Sequence, residues 1–331
     1  MDGSPLDKTL LYVTGKGGVG KTTVAASLGL AAAQRGRRTI VCEVAEQDRV
    51  SRAFAREGVG HAVEIQLAEN LWATTIDPQR ALEEWLARQL GGALGGGAFR
   101  TLLRSSAFQY FVAAAPGAKE LITIAKVWEL TRRERWDRHN RTYDLVVVDA
   151  PASGHGIAML TTPQTFGEIA RVGPIRRQAT KVSALLSDPA RTGYVAVALP
   201  EEMPVNETLE IDGRLYEAVG LGLDAIVVNG LYPERFSKAE VARLRDVVGR
   251  SSDGDDPPDG GPSTDGISPA GLNAIRVALA EHERARGQRV HLRRLRREAA
   301  GPAVLTLPFL FAPEVGLEEY GRLAADLGRK L

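Results

Sequence analysis

Nine residues, Gly15-Lys16-Gly17-Gly18-Val19-Gly20-Lys21-Thr22-Thr23, constrain this chain more than any other stretch. Gly15, four residues, then Gly20-Lys21-Thr22 is the P-loop pattern, in which backbone N–H groups wrap phosphate oxygens and the lysine neutralises their charge. The Thr22 hydroxyl is then a candidate ligand for Mg²⁺. Such a loop works between a strand and a helix, because the helix N-terminus must face the anion. The flanks agree: Thr9 to Thr14 is an apolar, partly β-branched run, and Thr23 to Arg35 is rich in Ala and Leu with only Gly29 as a breaker.

With 331 residues and 44% hydrophobic content, the chain can bury a large core, as one elaborated domain or two. A net charge of +1 gives no global argument for nucleic acid or an anionic membrane. No run approaches about 18 apolar residues, so no transmembrane segment is expected. Met1 to Pro5 lacks the basic and apolar regions of a signal peptide. The single cysteine, Cys42, lies in the apolar run Thr39 to Val44, reads as a buried strand thiol and fits a reducing, cytoplasmic setting.

Further short β-branched runs recur at 143–148, 194–199, 225–228 and 303–307, with weaker candidates at 63–67 and 71–76. Alternating with helical segments, they predict an α/β fold built on a mostly parallel, doubly wound sheet of about seven or eight strands. Two regions break the rhythm. Trp85 to Trp136 reads as a helical insertion entered through the glycine-rich run 91–97. Its apolar stripe of Leu102, Leu103, Phe108, Tyr110, Phe111 and Val112 has two readings, plain helix packing or a face for a hydrophobic protein client. Residues 251–269 are rich in Asp, Gly and Pro and read as a disordered loop. The basic segment 270–300 reads as a solvated helix face, with an anionic partner or a membrane surface as the alternative.

A second motif is Val146-Val147-Val148-Asp149-Ala150-Pro151-Ala152-Ser153-Gly154-His155. An aspartate ending an apolar strand lies at the carboxyl edge of the sheet, where open α/β folds bind ligands, and it can hold the water shell of Mg²⁺. Gly154 and His155 then form an element that senses the terminal phosphate; His155 as a helix-start residue without chemistry is the other reading.

These residues together resemble the arsenite-transporting (ArsA) ATPases and the tail-anchored-protein targeting ATPases. The loop resembles their deviant Walker A motif, and Asp149 to His155 their switch II segment. Pro116 to Glu120, Pro200 to Met203, Val227-Val228-Asn229, Pro308-Phe309 and Pro313-Glu314-Val315 continue the likeness in order. The resemblance implies a P-loop NTPase domain across residues 1–331, with ATP and Mg²⁺ as cofactors. Gly15, Gly17, Gly18, Val19, Gly20, Lys21, Thr22 and Thr23 would hold the phosphates, Asn229 would read adenine, and Pro308 and Phe309 would cover it. Lys21 and Asp149 would serve catalysis, Thr22 and Asp149 the metal, and Lys16 would reach across a dimer to the partner's nucleotide.

Three departures bear on this. Aligned by its strand, Ala45 stands where the family has its water-orienting aspartate, with Glu43, Glu46 or Asp48 as candidate replacements and Glu46 as the catalytic candidate. One cysteine provides neither an arsenite site nor an intersubunit zinc clamp. One P-loop requires a homodimer, or a heterodimer with a related ATPase, to complete the sites. The expectation is an ATP-hydrolysing enzyme whose ATP-gated dimer handles a client or partner protein, with no nucleic acid. The alternatives are a ParA- or MinD-like positioning ATPase and a nucleotide-binding scaffold with little hydrolysis.

Overall fold

In β1 (Leu10–Gly15), Leu10 and Tyr12 pack on one side while Leu11 and Val13 pack on the other. That period-two alternation marks a strand buried on both faces. The computed structural model describes residues 3–44, 50–51, 54, 63–90, 117–136, 140–253, 267–313 and 315–331. The same alternation recurs in β2 (Thr39–Glu43), β5 (Leu145–Asp149), β6 (Thr192–Ala198) and β7 (Ala225–Leu231). With β3 (Ile65–Ala68), β4 (Leu71–Thr75) and β8 (Ala303–Pro308), they form one sheet in the order β3-β4-β2-β5-β1-β6-β7-β8.

All described pairings are parallel except that of the edge strand β3 with β4. Its hairpin turns at Asn70, whose φ of 57° lies in the left-handed region that Asn tolerates better than most residues. The runs read from sequence as strands are all strands here, the two weaker ones included, but β3 joins antiparallel at the edge.

Helices cover both faces. α1 (Lys21–Gln34) lies on one face, and α2 (Pro78–Leu90), α3 (Ala118–Leu130), α4 (Ser153–Ile169), α5 (Pro174–Leu186) and α6 (Glu202–Val219) contribute to the core on the other. α7 (Lys238–Asp253) and α8 (Pro269–Glu298) follow, and α9 (Leu317–Lys330) returns to the α1 side. Helix α1 is buried almost all round, from Val24 through Ala33. A helix apolar on every side needs two neighbours. The sheet is one, and α9 is the other, through Tyr320, Leu323, Ala324 and Leu327. Gly29 lets α1 sit close to β2: a Cβ there would overlap Val41.

The stretch 91–116, which holds the insertion's apolar stripe, most of the Asp-rich segment 251–269, and Glu314 lie outside the described residues. The helices flanking 91–116 are core elements: Trp85 of α2 and Ile124, Val127 and Leu130 of α3 are buried.

A buried ionic network fixes α3 to the sheet edge. Arg135, 1% exposed, donates to Glu129 Oε1 at 2.5 Å and to Glu64 Oε1 at 2.7 Å, while the Tyr143 hydroxyl donates to Glu64 Oε2 at 2.7 Å. Lys126 adds a fourth charge, 3.1 Å from Glu129 Oε2. Burial pushes the Glu129 carboxyl up, but Lys126 and Arg135 together hold it below the ordinary value. A depressed folded pKa contributes stability that is present above the unfolded value and is lost as pH falls through the folded one. Removing one partner of such a pair strands the other charge in the core. Arg135→Met is expected to cost about 3–5 kcal/mol at neutral pH, measured by denaturant unfolding. The penalty should shrink once the pH is low enough to protonate Glu129.

Candidate functional site

The parallel sheet places the carboxyl ends of β1, β2 and β5 along one edge. Glu43 pairs in register with Asp149, and Val13 with Asp149 on its other side. The loop from β1 into α1 runs over this edge, and its glycines are there for backbone reasons. Gly15, Gly18 and Gly20 have φ of 146°, 84° and 90°, a region costly for residues with a Cβ. Gly15 is also pressed against β6, where a Cβ would overlap the Val197 carbonyl, and a Cβ on Gly20 would overlap the Asn229 amide.

Thr22, in the first turn of α1, donates its hydroxyl to Asp149 Oδ2 at 2.6 Å. This bond joins the two motifs that the sequence separates by more than a hundred residues. Lys21 Nζ donates to the Lys16 carbonyl at 2.9 Å, so its ammonium lies across the loop it follows. Together they border a cavity of about 620 Å³, with Gly18, Thr23, Glu43 and Tyr320 also in its wall. The α1 N-terminus opens into it, and its N–H groups and dipole favour an anion. The hydroxyl and carboxylate beside the anion site are the hard oxygen donors that Mg²⁺ selects.

The remaining residues singled out in the sequence fall around this centre. Val19 is buried in the loop, and its carbonyl accepts from Asn229 Nδ2 at 3.0 Å, which ties the end of β7 to the loop. Pro308 ends β8, and Phe309 stacks on Tyr232 with ring centroids 4.5 Å apart, beside Gly230. Neither is in the wall of this cavity. His155 is exposed in the first turn of α4. Gly17 also borders the cavity. Ala45, Glu46 and Asp48 lie outside the described residues.

Lys16 turns away from the cavity. Its ammonium lies 2.9 Å from Glu207 Oε1 and against Met203 Sδ, both on α6. Cys42 is fully buried in β2, and burial pushes its thiol pKa up.

Tyr320 is the residue that sequence reasoning missed. It is 4% exposed, reaches from α9 into the cavity, where Thr23 also lies in the wall, and stacks on Phe54 at 5.1 Å. Burial raises its pKa, Thr23 opposes this, and the charges of Asp149 and Glu43 raise it further, so the hydroxyl stays protonated at neutral pH. The only sequence signal was the helical spacing of Tyr320, Leu323, Ala324 and Leu327, which marks a buried face without saying what lies beneath it.

The profile of the anion-transporting ATPase (ArsA) family matches residues 8–178 and 168–248. The chain belongs to this family. ATPase BagA of Mycobacterium tuberculosis is 30% identical over 239 residues, covering 71% of this chain and 68% of its own length. ATPase GET3 of Kluyveromyces lactis is 27% identical over 251 residues, covering 67% of this chain and 71% of that protein. A putative arsenical pump-driving ATPase of Halobacterium salinarum is 28% identical over 245 residues; the match covers 70% of this chain and 37% of the relative. The matched residues take in the loop and the Asp149 segment, and the parallel sheet is the family's P-loop architecture. Among the described residues, no helix is long and apolar enough to cross a membrane.

Gly15→Ala tests the loop's fit to the sheet. The added methyl meets a backbone carbonyl in the β1–β6 ladder and requires a strained φ. It should destabilise the fold by about 1–3 kcal/mol in urea unfolding.

Proposed function

We propose that this chain binds Mg-ATP at the cavity beneath the α1 N-terminus and hydrolyses it, and that ATP gates a dimer that handles a client or partner protein. The observation that carries the reading is the 2.6 Å bond from Thr22 to Asp149, beside Lys21 and the α1 N-terminus. The backbone N–H groups of residues 15–23 and the Lys21 ammonium would cradle the phosphates. Asn229 would read adenine from the end of β7, with Pro308 and Phe309 covering it. Thr22 and Asp149 would hold Mg²⁺, which when bound neutralises charge on the terminal phosphates.

Family membership supports ATP as the nucleotide. The half-buried position of Lys16 outside the cavity wall, and the resemblance to the deviant Walker A enzymes, support a dimer in which it leaves Glu207 and stabilises phosphate charge on a partner copy or a related ATPase. Turnover is proposed to be slow, because Ala45 occupies the position of the family's water-orienting aspartate. Ala45 also favours a second reading, a nucleotide-gated scaffold with little hydrolysis. A positioning ATPase needs an apolar helical face to place on a membrane, and the α9 face is instead packed on α1. Its location is proposed to be cytoplasmic, on the single, unpaired thiol of Cys42.

Lys21→Ala should abolish ATP binding by titration calorimetry and remove phosphate release; wild-type affinity and turnover in that variant would sink the site. Lys16→Ala should keep ATP binding but lose ATP-dependent dimerisation in light scattering. An ATP-induced dimer that persists in that variant would refute the role of Lys16 in trans.

A further inference from the structure

Glu43 carries a carboxylate that the loop and the Asp149 motif leave unassigned, in the place where a hydrated cation would need one. It ends β2, is 3% exposed and borders the phosphate cavity. Its register partner on the adjacent parallel strand is Asp149. Neighbouring strands lie about 4.8 Å apart. By strand alternation, Glu43 shares its face with Val41, and Asp149 shares its face with Val147, and both valines belong to the core beneath α1. The two carboxylates therefore stand side by side under the first turn of α1, where Thr22 is bonded to Asp149.

We propose that Glu43 is a second magnesium-shell residue, paired with Asp149, that binds metal-coordinated water and sets how strongly nucleotide binding depends on Mg²⁺. The proposal rests on the Mg-ATP reading of the cavity. Bringing two buried carboxylates together beside a polyphosphate is unfavourable unless a cation lies among them, and Mg²⁺ keeps several waters that need acceptors. Glu43 Oε2 accepts from the Val50 N–H at 3.2 Å. A carboxylate has about four acceptor sites, so that bond is compatible with accepting from metal-bound water. It also gives the metal shell a mechanical connection: the chain after β2 is hydrogen-bonded to the carboxylate that would touch the shell. Phe54, one turn beyond Val50, stacks on Tyr320, which lines the same cavity. Glu43 is thus a positioning residue for the cation, distinct from the water-orienting role missing at Ala45.

The test is a Mg²⁺ titration of fluorescent ATP-analogue binding to the full chain, with the EDTA affinity measured first as a check on the fold. Glu43→Gln should raise the Mg²⁺ concentration for half-maximal enhancement about tenfold or more, while metal-free affinity rises rather than falls, because one negative charge facing the polyphosphate is removed. Glu43→Asp, which keeps the charge but retracts it by one methylene, should give a smaller rise, and it decides the question if the Gln variant fails to fold. Unchanged Mg²⁺ dependence in a folded variant would overturn the proposal, whatever happens to turnover. Wild-type chain that binds ATP with no response to Mg²⁺ would also overturn it. No ATP binding by the wild type at any Mg²⁺ concentration would remove the underlying nucleotide reading as well.

Discussion

The parallel pairing of β1 with β2's neighbour β5 is the constraint from which the site follows. Because Val13 and Glu43 both align with Asp149, three strands end level at one edge of the sheet. The loop after β1 then has only a few residues in which to turn into α1, and its glycines take the backbone conformations this requires. Once α1 starts there, Thr22 meets Asp149 and the helix dipole points into the same cavity. Slipping β5 by one residue would turn Asp149 to the opposite face.

That arrangement is held from behind by close packing. α1 can lie against β2 because Gly29 has no side chain to meet Val41, and its other side is sealed by α9. The seal has a chemical result as well as an energetic one, since it delivers Tyr320 to the cavity wall. At the far edge of the sheet the solution is different. There Arg135, Glu129 and Glu64 tie α3 and the β3 hairpin together through buried charge, which stabilises only while the partners remain matched.

Much of this was legible in the chain. Strands buried on both faces leave uninterrupted apolar, β-branched runs, so β1, β2 and β5 to β7 could be read; β8, a largely half-buried edge strand, was legible from its short apolar run, and the P-loop fixed the direction of the first strand and helix. Other features were not. β3 alternates weakly because it is a half-buried edge, and its antiparallel direction depends on a two-residue turn at Asn70. The long helix α4 contains Pro163, a residue that argues against helix when read locally, yet Pro163 is buried in the packed layer. In the sequence Arg135 is one of several charges around 132–138; its burial follows from the nearby Glu129 and from Glu64, which a distant segment places opposite it.

By itself, the sequence determined the order of strand, phosphate loop and helix, the aspartate at the end of a buried strand and the presence of a second lysine. These are local facts, set by residue type and spacing within a few positions. Tertiary structure alone decided which side chains meet: Thr22 with Asp149, Glu43 beside them, Tyr320 arriving from α9 and Lys16 turned toward Glu207. The physical reason is that contact across a parallel sheet depends on strand order and register, and both are fixed by packing of the two helical layers rather than by any one segment.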